Sequence, residues 1–260
     1  MMKIATWNVN SLKVRLTQVL DWLKDTQCDV LGIQELKCDN EHFPQNAFEE
    51  LGYHVAFNGQ KTYNGVAIIS KYPITDICYD MPDYNDIQKR VITVTICDIR
   101  IICAYVVNGE AIDSDKFQYK LSWLDELYNH TQNMLNLHNR VILLGDFNIA
   151  PSDIDVYDSA MWQDKVLCSD MERSWWTKLL SLELYDSFRL FSNEPKQYTW
   201  WDYRNFAFKR KLGLRIDHIL ISPPLKDIAC GCTIDTNPRK NERPSDHTPV
   251  ILTLNHLNTK

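Results

Sequence analysis

Polar residues able to do chemistry stand at the ends of apolar runs: Asn8, Glu35, Gly145-Asp146-Phe147-Asn148, Arg215-Ile216-Asp217-His218 and Ser245-Asp246-His247. Loops at strand ends set functional groups on a rigid scaffold. The continuously apolar run Val141-Ile142-Leu143-Leu144 reads as a strand covered on both faces, and it delivers Asp146 and Asn148 two residues apart. If the strand continues, both point to one side, where a carboxylate and an amide can hold a water or a hard cation. The alternative is a strand-end turn closed by the Asx side chains. Gly145 leaves room for close approach of backbone or ligand.

Asp246 and His247 are adjacent, so they serve one site only from a loop, which Pro244 and Pro249 favour. Asp246 offers hard oxygen donors to Mg2+. His247 can be a cationic partner for phosphate, or a general acid–base if a carboxylate orients it. Glu35 ends the apolar run Val30–Ile33, where an unpaired carboxylate is expensive to bury. Asn8 is placed similarly. Asn8, Glu35, Asp146, Asn148, Asp246 and His247 together suit an oxygen-rich Mg2+ or Mn2+ site better than zinc, for which no Cys/His spacing is present.

The elements that must position these groups follow from hydrophobic pattern. Strands are expected at Ile4–Asn8, Val30–Glu35, Tyr53–Phe57, Gly65–Ser70, Val91–Ile96, Ile101–Val107, Val141–Phe147, Tyr198–Trp201, Ile216–Ile221 and Val250–Leu254. Leu12, Leu16, Val19, Leu20 and Leu23 make one helical face, with Ser11 placed to cap it. Phe43, Ala47, Phe48 and Leu51 make a second stripe, and Phe117, Leu121, Leu124 and Tyr128 a third. Ser169-x-x-Glu172 reads as a capping box opening a fourth helix through Trp176, Leu179 and Leu180. Strands and helices alternate with no repeat or Gly/Ser linker, which points to one layered α/β unit over residues 1–260.

The chain has 260 residues, 45% apolar and 24% charged, the balance of an ordinary globular protein. A net charge of −6 argues against a protein that simply coats nucleic acid. No run is long enough to span a membrane and the N-terminus lacks a signal-peptide core, so the chain is read as cytoplasmic with no membrane partner. The eight cysteines form no C-x-x-C pair and are read as free thiols. Against the acidic background, Tyr198-Thr199-Trp200-Trp201-Asp202-Tyr203-Arg204, Lys209-Arg210-Lys211 and Arg215 make an aromatic and cationic patch that can track a nucleic acid backbone. Gln88-Lys89-Arg90 is a second possible phosphate contact. The absence of a P-loop, dinucleotide fingerprint, nucleophile elbow or H-E-x-x-H helix leaves metal-assisted attack on a phosphodiester.

Trp7-Asn8-Val9-Asn10, Gln34-Glu35-Leu36-Lys37, Asn64-Gly65-Val66-Ala67, Gly145–Asn148, Trp200-x-Asp202-Tyr203-Arg204, Leu214–His218 and Ser245–His247 occur in an order that resembles the exonuclease III family of DNA repair nucleases. The resemblance runs from Lys3 to Val250 and implies a four-layer α/β sandwich, two mixed sheets face to face with helices outside, as in the wider endonuclease/exonuclease/phosphatase superfamily. It implies Mg2+-dependent cleavage of double-stranded DNA, with Mn2+ able to substitute: incision 5′ to abasic sites, removal of 3′-blocking groups and 3′→5′ exonuclease action. Carried over to this chain, Glu35 is the chief metal ligand, with Asn8 and Asp246 close to the ion and Asn10 behind them. Asp146 deprotonates or orients the attacking water, which Asn148 helps to hold. Tyr105 and His247 contact the scissile phosphate, and Asp217 orients His247 and keeps it protonated. Trp200, Arg90 and Arg204 look like DNA-binding groups. Asn108 stands where many relatives carry the longer Gln, and Leu167 and Cys168 lie in a segment that borders the abasic pocket. Nothing in the sequence demands more than a monomer. The same core on an RNA tail, inositol phosphate or sphingolipid is a second reading, and a non-catalytic scaffold a third. The aromatic–cationic segment favours DNA over the second, and the intact set of ligands opposes the third.

Overall fold

The computed structural model describes residues 1–255. All ten expected strands form, and four more join them. In chain order the strands are β1 (Met2–Asn8), β2 (Val30–Gln34), β3 (His54–Asn58), β4 (Val66–Ser70), β5 (Thr75–Tyr79), β6 (Val91–Ile96) and β7 (Ile99–Tyr105). They continue as β8 (Val141–Asp146), β9 (Tyr185–Asp186), β10 (Trp200–Trp201), β11 (Gly213–Leu214), β12 (Asp217–Ile221), β13 (Ala229–Ile234) and β14 (Val250–Leu254). The principal helices are α1 (Leu12–Thr26), α2 (Gln45–Glu49), α3 (Asp115–Leu137) and α4 (Ser159–Trp162), then α5 (Asp170–Leu180), α6 (Ala207–Arg210) and α7 (Pro223–Lys226).

One six-stranded sheet runs β13-β14-β1-β2-β4-β3 and the other β5-β6-β7-β8-β12-β9. Both are mixed: β1 with β2 and β7 with β8 are parallel, and the remaining neighbours antiparallel. The inner faces share one apolar core that includes Ile4, Val30, Ile68, Val94, Ile101, Ile142, Leu144 and Leu252. A Cβ on Gly32 would lie 2.3 Å from Leu144 Cδ1, so a side chain there would push the sheets apart. On one outer face Trp7, Leu31 and Ile33 pack against Val19, Trp22 and Leu23 of α1 and Phe48 of α2. On the other, Ile102 and Leu143 meet Trp123, Leu124 and Leu127 of α3 and Trp175, Trp176 and Leu179 of α5. Helix, sheet, sheet, helix is the expected four-layer sandwich.

The capping box at Ser169 and Glu172 is present in both directions. Ser11 is different: it sits at the N-cap position just before α1 with φ +89 and makes no side-chain cap, its N–H turned instead to the Glu35 carbonyl at 2.8 Å. The expected single unit extends to residue 260, and residues 256–260 lie outside the described ones. Among the described residues no helix is long and apolar enough to cross a membrane, and all eight cysteines are free thiols.

Candidate active site

Strand ends converge at one edge of the sandwich. Asn8 closes β1, Glu35 follows β2, Tyr105 closes β7 and Asp146 closes β8. Antiparallel pairing sets Asp217, first residue of β12, opposite Asp146, and parallel pairing sets Tyr105 beside it. Gly145 makes the crossing possible, because a Cβ there would fall 1.8 Å from the Ala104 carbonyl oxygen. Beyond Asp146 the strand does not continue. Asn148 turns to φ +49 and its N–H returns to Asp146 Oδ1 at 2.9 Å. Thus the strand-end Asx turn and the functional pairing are one structure: the turn is what keeps Asn148 beside the carboxylate.

The groups are cross-bonded. Asn8 Nδ2 donates to Glu35 Oε1 at 2.9 Å and to Asp146 Oδ2 at 2.8 Å. The Tyr105 hydroxyl donates to Glu35 Oε1 at 2.8 Å, and Lys37 Nζ pairs with Glu35 Oε2 at 2.9 Å. His247 meets Asp217 Oδ2 through Nδ1 at 2.9 Å, while its Nε2 faces Asp146 Oδ2 at 3.7 Å. Burial works against a charged His247, but the Asp217 and Asp146 carboxylates outweigh it and hold the ring protonated well above the usual range. Burial raises the pKa of Asp146, and the charge of Asp217 adds to the rise; His247 and the donors Asn8 and Asn148 oppose it. Burial and the charges of Glu35 and Asp146 keep the Tyr105 hydroxyl neutral. Asp217 Oδ1 is buried with no hydrogen-bond partner among the described residues.

The Ser245–His247 loop is locked from below. Ser245 Oγ donates to the Asn8 carbonyl at 2.7 Å and accepts the His247 N–H at 3.2 Å. Arg239, buried over the rings of Trp201, Tyr203 and Phe208, donates to the Ser245 carbonyl. Arg15 ties the Pro244 and Asn10 carbonyls at 3.1 and 2.5 Å. Trp200 Nε1 donates to Asp246 Oδ2 at 3.0 Å, and its ring joins Leu167, Val156, Leu214 and Ile216 in an apolar cluster.

Ligand atoms of Glu35, Asp146 and His247 lie within 4.8 Å of one another. Two carboxylates at that spacing fit a hard divalent cation. The other expected ligands lie around these groups, each hydrogen-bonded to its neighbours. Asn8 aims its amide nitrogen at the carboxylates, its Oδ1 being held by the Asn10 N–H at 2.9 Å. Asp246 has both oxygens engaged, by Asn10 Nδ2 at 2.9 Å and by Trp200. Burial would raise its pKa, but the His247 charge and these donors hold it below the usual carboxylate range. Asn148 uses its Oδ1 to accept from Asn108 at 3.0 Å and its Nδ2 to reach the Val106 carbonyl at 3.0 Å. Held between the Asp217 and Asp146 carboxylates, the protonated His247 ring offers Nε2 as a hydrogen-bond donor.

The outer residues divide. Arg204 is exposed, beside Tyr203 and Phe206. Arg90 is nearly buried, its guanidinium over the Tyr105 ring at 4.7 Å with bonds to the Tyr105 carbonyl at 3.1 Å and Gln88 at 2.8 Å. It braces Tyr105 as much as it faces solvent. Asn108 turns inward to Asn148. Arg215 leaves the cationic patch altogether: it is 1% exposed and pairs with Asp155 at 2.6 Å and Asp186 at 2.8 Å. Sequence reading assigned no part to Lys37 or Arg239. Lys37 lay inside a quoted motif, two residues after Glu35, and that proximity was the available signal; Arg239 carries no local mark.

The profile of the endonuclease/exonuclease/phosphatase family matches residues 5–247. The chain is 35% identical to exodeoxyribonuclease III of Haemophilus influenzae, over 96% of this chain and 98% of that one. It superposes with TM-score 0.97 and 47% identity on NExo, a 3′ phosphatase from Neisseria solved with a product DNA hairpin, covering 98% of this chain and 100% of that one. An AP endonuclease from Archaeoglobus fulgidus gives TM-score 0.95 at 39% identity, with 98% and 100% covered. The chain therefore belongs to the endonuclease/exonuclease/phosphatase family, in the branch that holds exodeoxyribonuclease III, and is a nuclease that hydrolyses phosphodiester bonds.

Proposed function

We propose that this chain is a Mg2+-dependent DNA repair phosphodiesterase, with Mn2+ able to substitute, acting on double-stranded DNA at 3′ ends and at abasic sites. The activities are 3′→5′ exonuclease action, removal of 3′-blocking groups including phosphate, and incision 5′ to abasic sites. The observation that carries this reading is the imidazolium of His247 held by Asp217 and facing Asp146, with Glu35 in the same cluster. A fixed cation beside a carboxylate of raised pKa suits attack of water on a phosphate.

Glu35 and Asp146 would hold the ion, with the Asn8 amide keeping the two carboxylates together. When bound, the cation polarises the phosphate and offsets its charge. Asp146 accepts a proton from the attacking water, at a pKa that burial has moved toward neutrality. Asn148 holds that water from the turn. His247 donates through Nε2 to a phosphate oxygen, and Asp217 keeps its ring oriented. The Tyr105 hydroxyl, released from Glu35, donates to the same phosphate. Trp200 and Leu167, packed in one apolar cluster, wall the pocket for the terminal or damaged nucleotide. Arg204 contacts the DNA backbone, and Arg90 and Asn108 support the strand from the Tyr105 side. The chain acts as a single unit over residues 1–260, as a monomer in the cytoplasm.

The test uses two labelled duplexes, one with an internal abasic site and one with a recessed 3′-phosphate end. With Mg2+ or Mn2+ both are expected to be cleaved, and EDTA is expected to abolish cleavage until metal is restored. Cleavage that persists in EDTA, or failure on both duplexes with metal present, would contradict the proposal. The ratio of the two rates ranks the activities.

A further inference from the structure

Lys120 lies in the second turn of α3 and is 0% exposed. An ammonium group buried so completely needs a partner for each of its three protons. It has three: the Glu172 carboxylate, the Asn148 carbonyl at 2.7 Å and the Asn108 carbonyl at 3.1 Å. Glu172, also 0% exposed, is equally committed on its other side. It accepts the N–H groups of Leu167 and Ser169, each at 3.0 Å, and the Ser169 hydroxyl at 2.6 Å. One ion pair thus joins the turn that carries Asn148, the loop that carries Asn108 and the segment Leu167–Ser169.

The Asn148 turn is held from several sides. Its φ of +49 lies in the left-handed region, which asparagine tolerates better than other residues with side chains. Its N–H and side chain bond to Asp146, Val106 and Asn108, and the Lys120 bond to its own carbonyl completes the set. Leu167, at the far end of the ion pair, packs in the cluster that contains Trp200. An apolar pair could fill the volume of Lys120 and Glu172 at little cost in stability. It could not aim two carbonyls.

We propose that Lys120, paired with Glu172, is a positioning residue that fixes the Asn148 turn against Asp146 and ties it to the Leu167 side of the pocket. The proposal rests on Asn148 as the group that holds the attacking water. Lys120→Met alone leaves the Glu172 carboxylate buried without its cation and can fail to fold. The variant of choice is therefore Lys120→Met with Glu172→Gln, which keeps the interior neutral and preserves one oxygen as acceptor for the Ser169 N–H and hydroxyl.

Melting temperature, kcat and KM on the 3′-phosphate duplex with Mg2+, and affinity for the same duplex in EDTA are measured for the parent, this double variant, Asn148→Ala and all three changes combined. A displaced water site is expected to lower kcat about 100-fold in the folded double variant. KM and DNA affinity should stay within about twofold, and adding Asn148→Ala should cost little more, because both changes remove one arrangement. A folded double variant with parental kcat, beside an impaired Asn148→Ala, overturns the Lys120 proposal alone. Losses that simply multiply also overturn it. Parental turnover in Asn148→Ala overturns the water-holding reading and the proposal together. Should the double variant not fold, Glu172→Asp, which keeps the charge and shortens its reach to Lys120, supplies the same cycle: coupling to Asn148→Ala supports the proposal and strict additivity overturns it.

Discussion

Two buried charge clusters lie on either side of Ile216, and they are balanced in opposite ways. In the first, the carboxylates of Asp146 and Asp217 share one cation, His247, and Asp217 keeps an oxygen without a hydrogen bond. In the second, Asp155 Oδ1 receives Arg215 Nε at 2.6 Å and Arg189 at 2.5 Å, and Arg215 also pairs with Asp186 at 2.8 Å. Burial would raise the pKa of Asp155, but the two arginines hold it down at about 2. Burial and Asp217 raise that of Asp146 instead. Two aspartates of similar burial thus differ in one respect, whether cations saturate them. The saturated cluster has no capacity left for a ligand and serves as structure. The unsaturated one is short of positive charge, which is the condition of a site that takes a divalent cation and a proton.

The comparison can be broken most severely at Arg215. Arg215→Met leaves Asp186 without its cation, and unpairing a buried ion pair costs about 3–5 kcal/mol. Urea unfolding should show that loss of stability, while the molecules that remain folded keep turnover within about tenfold. A variant of parental stability would mean that the second cluster does not hold the fold.

An effect of similar size for each group is expected from pH. His218 accepts from Arg215 at 2.9 Å, bonds the Ile149 carbonyl through Nε2 at 2.9 Å, and is pulled down to about 4 by burial and by the charge of Arg215. His130, bonded to Thr93 at 3.0 Å, is likewise lowered to about 4 by burial and Arg100. Both are neutral in the folded chain and take up a proton near pH 6.5 when unfolded. At these two positions the unfolded state therefore binds more protons across this window, so their contribution to stability is complete above about pH 6.5 and is lost as pH falls toward 4. Each group accounts for about 3 kcal/mol over that span. Urea unfolding across the window should show the decline, and His130→Gln should flatten it by about one proton. An unchanged slope in that variant would place His130 outside the linkage.

The smallest effect belongs to the exposed rim. Arg204→Ala should raise KM a few-fold, leave kcat alone and reduce the salt slope of DNA binding by about one. A loss confined to kcat would move Arg204 from the DNA backbone to the reacting phosphate.

The two clusters also show which parts of the molecule were legible in the sequence. Asp146, Asp217 and His247 end or precede strongly apolar strands, so strand pattern alone brings them to one edge. The ten strands with a buried face were all readable for the same reason. The four that were not include β5, mostly exposed and bulged against β6, and β13, an edge strand with a register shift beside Gly231. The others, β9 and β11, have two residues each, too few for a period. Arg215 looked like part of a cationic patch for nucleic acid, and nothing local marked Lys120 in its helix, because burial of a cation is decided by partners far along the chain. Asp155 lies 60 residues from Arg215, and Glu172 lies 52 from Lys120. Residue type marks Asn8, Asn148, Asp246 and His247 as possible ligands, and geometry adds how each is placed: His247 gathers with Glu35 and Asp146 within 4.8 Å, while Asn8, Asn148 and Asp246 are hydrogen-bonded around them.

The central claim is that charge balance separates the reactive aspartate from the structural one, and a matched pair of isosteric changes tests it directly. Asp146→Asn and Asp155→Asn are each assayed for melting temperature and for Mg2+-dependent turnover on the same 3′-phosphate duplex. The account predicts a crossed result. Asp146→Asn melts at or above the parental temperature and loses about 100- to 10,000-fold in turnover. Asp155→Asn melts several degrees lower, yet below its transition it turns over within about tenfold of the parent. Parental turnover in Asp146→Asn, or equal loss of turnover in both folded variants, would contradict it.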